Sequence, residues 1–405
     1  MAVGITSRDC STKSSISVVP QRELRFKCTT EYNGRLIKRL YHADNIDVLN
    51  ILIKDKKICE KVELIYIDPP YNTGGAFETR NFKHAYNDNF TTEAYVDFMK
   101  ARLLLMHKLL SPSGSIYVHL DSNMVFHIKI LMDSIFGEKN FRGMITRKKC
   151  KSKNFTRTTY GNISDYILFY TKSDSPIWNR PYEKWNEEKV LKEYPFIEEG
   201  TGRRHKRVPC HAPGTRNGAT GGPWRGMMPP KGKHWQYTPE KLDEMDARGE
   251  IHWSSNGNPR RKVYLDQSKG IPVQDIWLDY LDVNNQNTHL TGYPTEKNID
   301  MLKRIIEASS NPGDLVLDCF AGSGTTLVAA NELGRQWIGV DIGDESIRII
   351  KDRFLNGTRP LGDYVSSAKK KNTDMSNSLF DDLNFASEEK KEKEEKIKFQ
   401  IFEEE

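Results

Sequence analysis

The sequence predicts an α/β fold, a largely parallel sheet covered by helices. Three observations predict it. Short apolar runs of strand type alternate with segments whose apolar residues recur at helical spacing. Two of those runs stop abruptly, one at Asp68-Pro69-Pro70-Tyr71 and one at a glycine turn spanning Phe320 to Thr326. The alternation lapses once, between about Gly137 and Pro294, in a basic stretch rich in tryptophan. At 405 residues the chain has room for two or three domains.

Residues 1–34 mix Ser, Thr and Lys with few apolar repeats and read as a loosely held arm. Asn45 to Ile53 has the spacing of an amphipathic helix, and Val62 to Ile67 is an apolar strand that ends at Asp68. Glu93 to Leu110 places Val96, Met99, Leu103, Met106 and Leu110 on one helical face. Ser111-Pro112-Ser113-Gly114 then breaks the helix before a strand over Ser115 to Leu120 and a helix over Met124 to Phe136. Asp165 to Tyr170 reads as a strand, whereas Pro209 to Pro230 has little periodicity. Six of the seven tryptophans fall between Trp178 and Trp277, so this stretch is an insertion or second domain with its own aromatic contacts.

The α/β pattern returns with Thr295 as an N-cap and Ile299, Leu302, Ile305 and Ile306 on one helical face. Asn311-Pro312-Gly313 turns the chain into a buried strand over Leu315 to Leu317. After the glycine turn come a helix from Leu327 to Leu333 and a strand from Trp337 to Val340 that ends in Asp341. Beyond about Gly362 the composition is Lys/Glu-rich, which predicts disorder with a helix allowed between Glu388 and Lys398.

Composition narrows the function classes. A mean hydropathy of -0.66 and the lack of any run of 18 apolar residues exclude a helical membrane span. The first ten residues lack the layout of a signal peptide, and the six cysteines are scattered with neither a C-x-x-C pair nor histidines at zinc-ligand spacing. The expectation is a cytoplasmic protein with reduced thiols and no metal site. A net charge of +6 is unevenly spread: Arg142 to Asp275 holds 26 Lys+Arg against 15 Asp+Glu. A basic segment on a nearly neutral body suits a phosphate-backbone partner, although a solvated loop face has the same composition.

Two strand ends carry the chemistry. A strand feeding a glycine turn that opens a helix lets backbone approach a ligand. An acid at the end of the next strand, here Asp341, 19 residues after Gly322, can hold ribose hydroxyls. No Gly-Lys-Ser/Thr follows Gly324, so the turn is not a P-loop; an adenosine-type ligand and a dinucleotide both remain open. At the other end, Asp68-Pro69-Pro70-Tyr71 combines a carboxylate, two fixed prolines and a ring. The prolines donate no N–H, leaving carbonyls that accept. An exocyclic amine on a purine is a poor nucleophile because its lone pair is delocalised. The Asp68 carboxylate and the Pro69 carbonyl could hold its two N–H groups and localise that pair, with Tyr71 stacked on a base turned out of the duplex. A proline-rich turn closing a strand is the plain alternative.

These blocks resemble the amino-methylating DNA methyltransferases, in the adenine-specific group whose catalytic motif precedes the cofactor motif. The resemblance rests on DPPYNTG (Asp68 to Gly74), SGSIYVHLD (Ser113 to Asp121) and ISDYILFY (Ile163 to Tyr170). It continues through GYPTEKN (Gly292 to Asn298), DLVLDCFAGSGTT (Asp314 to Thr326) and WIGVDI (Trp337 to Ile342), and spans most of residues 62–350.

It implies a Rossmann-like S-adenosylmethionine-dependent methyltransferase fold with a mixed seven-stranded sheet. The chain would then divide into an arm (1–34), a catalytic half (35–141), a basic target-recognition insertion (142–290), a cofactor half (291–361) and a charged tail (362–405). Asp68, Pro69, Pro70 and Tyr71 would be catalytic. Asp318, Phe320, Gly322, Gly324 and Thr325 would line S-adenosyl-L-methionine, with Asp341 on its ribose and Thr295 and Lys297 at its methionine end.

The implied reaction is methylation of the adenine N6 amine in DNA. Asp68 favours this over the cytosine N4 amine, where Ser usually precedes Pro-Pro-Tyr. Candidate phosphate contacts in the insertion are Arg147, Lys148, Lys149, Lys151 and Lys153, then Arg203, Arg204, Lys206 and Arg207, then Arg260, Arg261 and Lys262. An RNA substrate, a non-catalytic specificity subunit and an NAD-dependent enzyme are the weaker alternatives. A homodimer and a separate restriction endonuclease are the protein partners left open.

Overall fold

A computed structural model describes residues 25–30, 34–70, 76–78, 84–87, 91–151, 158–282, 296–357 and 398–404. Its centre is a mixed sheet of ten strands. In chain order these are β1 (Phe26–Cys28), β2 (Lys38–His42), β3 (Val62–Ile67), β4 (Leu110–Leu120), β5 (Phe141–Lys148), β6 (Ser164–Thr171), β7 (Ile276–Trp277), β8 (Leu315–Asp318), β9 (Gln336–Asp341) and β10 (Gln400–Glu404). Across the sheet they run β1-β10-β2-β9-β8-β3-β4-β6-β5-β7. The seven from β2 to β5 are all parallel to their neighbours except β6, which is antiparallel on both sides. The expected seven-stranded mixed sheet is therefore the middle of a wider one, with β1 and β10 added at one edge and β7 at the other.

Strand alternation sorts the side chains. Ile65 and Ile67 of β3, Val118 and Leu120 of β4, and Leu168 and Tyr170 of β6 join one apolar cluster. That cluster includes helices α1 (Asn45–Leu52), α2 (Thr92–Leu109) and α3 (Val125–Phe136). Helix α2 forms where Tyr95, Met99, Leu103 and Met106 recur on one buried face, and Thr91 caps it by accepting from the Ala94 amide. The residues between, Tyr66, Tyr117 and His119 and their β6 neighbours Asp165 and Phe169, face the other way. There Tyr117 stacks on Phe169 at 4.3 Å and its hydroxyl meets Ser309 of helix α4 (Ile299–Ser309) at 2.7 Å. Helices α5 (Thr325–Glu332) and α6 (Asp344–Asn356) complete the cofactor half.

Several expectations shift. The break at 111–114 is absorbed into β4 as a bulge: Leu110 pairs with Val62 and Ser115 with Leu64. Gly114 is needed there, since a Cβ would stand 2.8 Å from the Val62 carbonyl oxygen. Asn298, rather than Thr295, caps α4, its side chain accepting from the amides of Asp300 and Met301; Thr295 lies outside the described residues.

The tail, expected to be mostly disordered, contributes β10. Ile401 is buried, Phe402 stacks on Tyr41 at 4.7 Å, and Phe399 packs against Trp337. The short apolar run at 399–402 was masked by the lysines and glutamates before it. The arm likewise contributes β1, paired antiparallel with β10. The helix allowed at 388–398 falls outside the described residues except for Lys398.

The chain forms two compact units, the second running Arg180–Gln274. It is narrower than the 142–290 insertion read from sequence, because β5 and β6 pair within the main sheet. Within this unit, strands Phe196–Ile197, Arg204–Pro209, Pro259–Tyr264 and Ile251–Trp253 form an antiparallel sheet in that order. A small core of Cys210, Trp224, Trp235, Leu242, Met245 and Ile251 holds the rest together. The indole N–H groups of buried Trp224 and half-buried Trp253 donate to Asp243 and Asp246, so these rings keep their polar atoms paired.

Candidate active site

The sheet order changes direction between β3 and β8. From β3 the chain builds outward through β4, and from β8 outward through β9, so the crevice at their carboxyl ends is the switch point where α/β sheets bind ligands. Both motifs read from sequence meet there. Asp68, Pro69 and Pro70 follow β3, and Asp318 ends β8. Tyr71 lies outside the described residues.

On the β8 side, backbone does most of the holding. The Phe320 amide donates to Asp318 Oδ1 at 3.0 Å. Burial nevertheless pushes the Asp318 carboxyl up to about 7, against the hydrogen bonds from Thr326 and the Phe320 amide and reinforced by the nearby charges of Asp68 and Asp341. Asp341 accepts from the Gly322 amide at 2.8 Å and the Gly343 amide at 2.9 Å, which fixes the glycine turn against the end of β9. Burial raises its pKa as well. Each carboxylate oxygen has a second lone-pair direction, so Asp341 can still accept from a ligand.

Gly324 caps α5 at a φ of 72°, and a Cβ there would stand 2.7 Å from Ile350 Cγ1; the turn needs glycine on both counts. Thr325 is buried, and its hydroxyl accepts from Arg353 Nη1 at 2.8 Å, while Arg353 pairs with Glu296 at 3.1 Å. Phe320 is half-buried and lies beside Phe98, ring centres 6.2 Å apart.

On the β3 side, side chains do the holding. Lys297, expected at the methionine end of the cofactor, places Nζ 2.7 Å from Asp68 Oδ2. Asp68 Oδ1 faces Nδ1 of buried His119 at 3.8 Å, beyond hydrogen-bond length. His119 Nδ1 meets the Tyr66 hydroxyl at 2.8 Å, and Nε2 lies 3.5 Å from Asp165 Oδ2. Asp165 is held in turn by Lys149 at 2.9 Å and Arg147 at 3.5 Å.

Burial lowers the His119 pKa, and Asp165 and Asp68 only partly oppose it. Burial also works against the Asp165 carboxylate, but His119 and Lys149 beside it hold its pKa below the usual range. Tyr66 is pushed well above its ordinary value by burial, with Asp68 adding to the effect.

Sequence reasoning singled out none of Tyr66, His119 and Asp165 individually, although all three lie in or beside the quoted blocks. The available signal was alternation: ionisable letters inside otherwise apolar strands. Arg147, proposed as a phosphate contact, is corrected. It is fully buried, donating to the Tyr280 carbonyl at 2.7 Å and pairing with Asp282 and Asp165.

The other candidate DNA contacts divide by partner. Lys148 ends β5 and Lys151 is exposed, and neither has an acidic partner among the described residues; Lys153 lies outside them. In the second unit Arg203 forms a two-pronged pair with Asp266 and stacks over Tyr264. Arg204 donates to the Tyr194 carbonyl, Lys206 faces Glu193 at 3.7 Å, and Lys262 pairs with Glu198 at 2.7 Å. Arg207 lies over Phe196, Arg261 over Tyr237, and Arg260 is exposed without an acidic partner among the described residues.

Residues 62–352 match the N6_N4_Mtase family, described as DNA methylase. The chain is 51% identical over 337 residues to "Type II methyltransferase M.EcaI" of Enterobacter cloacae, an alignment covering 83% of this chain and 74% of the relative. It is 30% identical over 337 residues to "Type III restriction-modification enzyme StyLTI Mod subunit" of Salmonella typhimurium, covering 73% of this chain and 50% of that one. "DNA adenine methyltransferase YhdJ" of Escherichia coli is 25% identical over 351 residues, covering 86% and 94%.

Proposed function

Because the chain belongs to the N6/N4 DNA methylase family, we propose that it is a site-specific DNA methyltransferase that moves a methyl group from S-adenosyl-L-methionine to the N6 amine of adenine. The observation that carries this reading is Asp68. It stands at the carboxyl end of β3, across the switch point from the acids of β8 and β9, and an aspartate rather than a serine precedes Pro69-Pro70. One of the relatives is named for adenine.

The residues at the ends of β8 and β9 fit the donor. S-adenosyl-L-methionine, when bound, supplies a methyl carbon activated by a sulfonium. Asp318, buried and half-protonated near pH 7, is stabilised as a carboxylate beside a cationic ligand. Asp341 has acceptor capacity left for ribose hydroxyls, and Gly324 keeps the floor of the turn clear of a Cβ.

On the opposite side, the Asp68 carboxylate and the Pro69 carbonyl accept the two N–H groups of the target amine and aim its lone pair. Lys297 balances the charge at Oδ2. Catalysis is then mostly in-line positioning. Asp68 is placed to take the proton that the methylated amine sheds. The base reaches this crevice only when turned out of the duplex, with Tyr71 as the stacking ring. The unit Arg180–Gln274 is assigned to target recognition, and the chain to the modification arm of a restriction-modification pair with a separate endonuclease.

Incubation with radiolabelled S-adenosyl-L-methionine and unmethylated DNA, followed by digestion to nucleosides, tests the reading. Label in N6-methyladenosine supports it. Label in N4-methylcytosine replaces the base, and an unlabelled DNA fraction overturns the reading.

A further inference from the structure

Four neighbouring strands each turn one polar side chain to the same face of the sheet, behind the Asp-Pro-Pro turn. These are Tyr66 on β3, His119 on β4, Asp165 on β6 and Arg147 on β5. Cross-strand register sets the last pair directly opposite, Asp165 against Arg147. The His119 side chain is fully buried, and a buried imidazole with a fixed neighbour at each nitrogen has a determined tautomer.

The neighbours decide which one. Asp165, between Lys149 and Arg147, is a carboxylate and can only accept; it faces Nε2. Tyr66, held protonated by burial, faces Nδ1 at 2.8 Å and can donate its hydroxyl hydrogen there. Both contacts are satisfied together when the proton sits on Nε2 and Nδ1 carries a lone pair. The reverse tautomer would set a lone pair against the Asp165 carboxylate. It would also direct an N–H into the space between the Tyr66 oxygen and Asp68 Oδ1.

On the reading that Asp68 accepts the substrate amine, we infer that Tyr66 and Asp165 are positioning residues. They lock His119 as the neutral Nε2–H tautomer, whose single Nδ1 lone pair accepts from the Tyr66 hydroxyl, so that no imidazole N–H is directed at Asp68 Oδ1. The imidazole then shields the carboxylate from water without donating to it. Lys297 donates to the other oxygen, Oδ2.

Among the described residues, the charged and titratable groups around the imidazole include Asp68, which follows β3, Tyr66 from β3, Asp165 from β6, Arg147 and Lys149 from β5 and its exit, and Lys297 ahead of α4. This arrangement also gives Lys149 and Arg147 a role other than phosphate binding. They keep Asp165 ionised, and through it the tautomer.

Nitrogen-15 NMR of the full chain with labelled histidine tests the inference. The His119 signals are identified by their loss in His119→Gln. The expected result at neutral pH is an unprotonated Nδ1 and a protonated Nε2. A protonated Nδ1, or an imidazolium, overturns it.

Asp165→Asn and Tyr66→Phe each remove one lock without removing the ring. Each should mix the tautomers and lower kcat by about tenfold, with KM for the methyl donor and for DNA within about twofold. The double variant should cost no more than the worse single one, since both act through one imidazole. A fall in melting temperature with unchanged kcat would make the chain purely structural and overturn the positioning role. Failure of the underlying reading shows separately, as retained turnover in Asp68→Ala, whereas the tautomer is read without any turnover.

Discussion

The two sides of the switch point hold their acids by different means. On the β8–β9 side, Asp318 and Asp341 are gripped mainly by backbone amides of the residues around them, with hydroxyls of Thr326 and Ser346 added, and the glycine turn is shaped by what is missing at Gly324. On the β3–β4 side, Asp68 is gripped by a side chain from a distant position, Lys297, with the His119 group behind it. A backbone cradle tolerates variation in side chains but not in backbone shape. A side-chain cradle tolerates small backbone shifts but not the loss of one polar atom. The first suits a ligand that is always the same, the second a reacting centre whose hydrogen bonds must be counted one by one.

The strongest way to break this contrast is Asp68→Ala. Methyl transfer should fall by about a thousandfold or more while donor affinity, measured by calorimetry, stays within about threefold. Equal losses in both would mean that the two sides are one site energetically.

Next is Gly324→Ala, which meets both an unfavourable φ and Ile350. It should destabilise the protein by roughly 1–3 kcal/mol in chemical denaturation and abolish saturable donor binding, although no polar atom has been removed. Normal binding would show that the turn is not shaped by its glycine.

A third test uses pH. Because the folded Asp318 pKa is raised from 3.8 to about 7, the folded state holds its proton more tightly than the unfolded one. Ionising Asp318 therefore costs stability progressively between those values, and the cost is fully present above about 7. The ligand-free Asp318→Asn variant should melt higher than wild type at pH 8, with the gap closing as pH falls toward 4. Donor affinity in the wild type should rise with pH through about 7, with proton release on binding. An Asp318→Asn variant that melts lower than wild type at pH 8 would overturn the assignment.

The smallest effect is expected from Arg260→Ala in the second unit. Both sides of the crevice should be untouched, while DNA affinity weakens and the slope of log affinity against log salt falls by about 0.9 if one phosphate contact is lost. An unchanged salt slope would remove Arg260 from the interface.

The same contrast explains what could be read in the letters. The backbone cradle is written contiguously: strand, glycine turn, helix, strand and acid occupy 315–341, so spacing singled out Gly322 and Asp341, and the structure joins them. The side-chain cradle is scattered over Tyr66, His119, Asp165 and Lys297, and its members come together only through strand register, which local pattern does not supply. Arg147 shows the cost of reading charge without register. In a run of cations it looks like a solvated phosphate contact, yet alternation turns it inward between two carboxylates. Edge strands were missed for a related reason. β1 and β10 are short and lie beside polar segments, and long-range pairing, of β1 with β10 and of β10 with β2, is what makes them strands.

The pairing of β3 with β8 joins Val62 to Leu315 across a long excursion of chain, and the second unit is spliced into that excursion. It leaves after Asn179, whose side chain bonds to the carbonyls of Glu307 and Ser310, and it returns at Asp275, whose carbonyl accepts from Thr146. Closing a loop this long costs entropy that grows only with the logarithm of its length, so doubling it adds only about 0.6 kcal/mol. With one splice point tethered to helix α4 and the other to β5, the intervening residues can be lengthened or shortened at little entropic penalty to the central pairing. The fold thus leaves this module open to changes of length while the strand pairing on either side of it is kept.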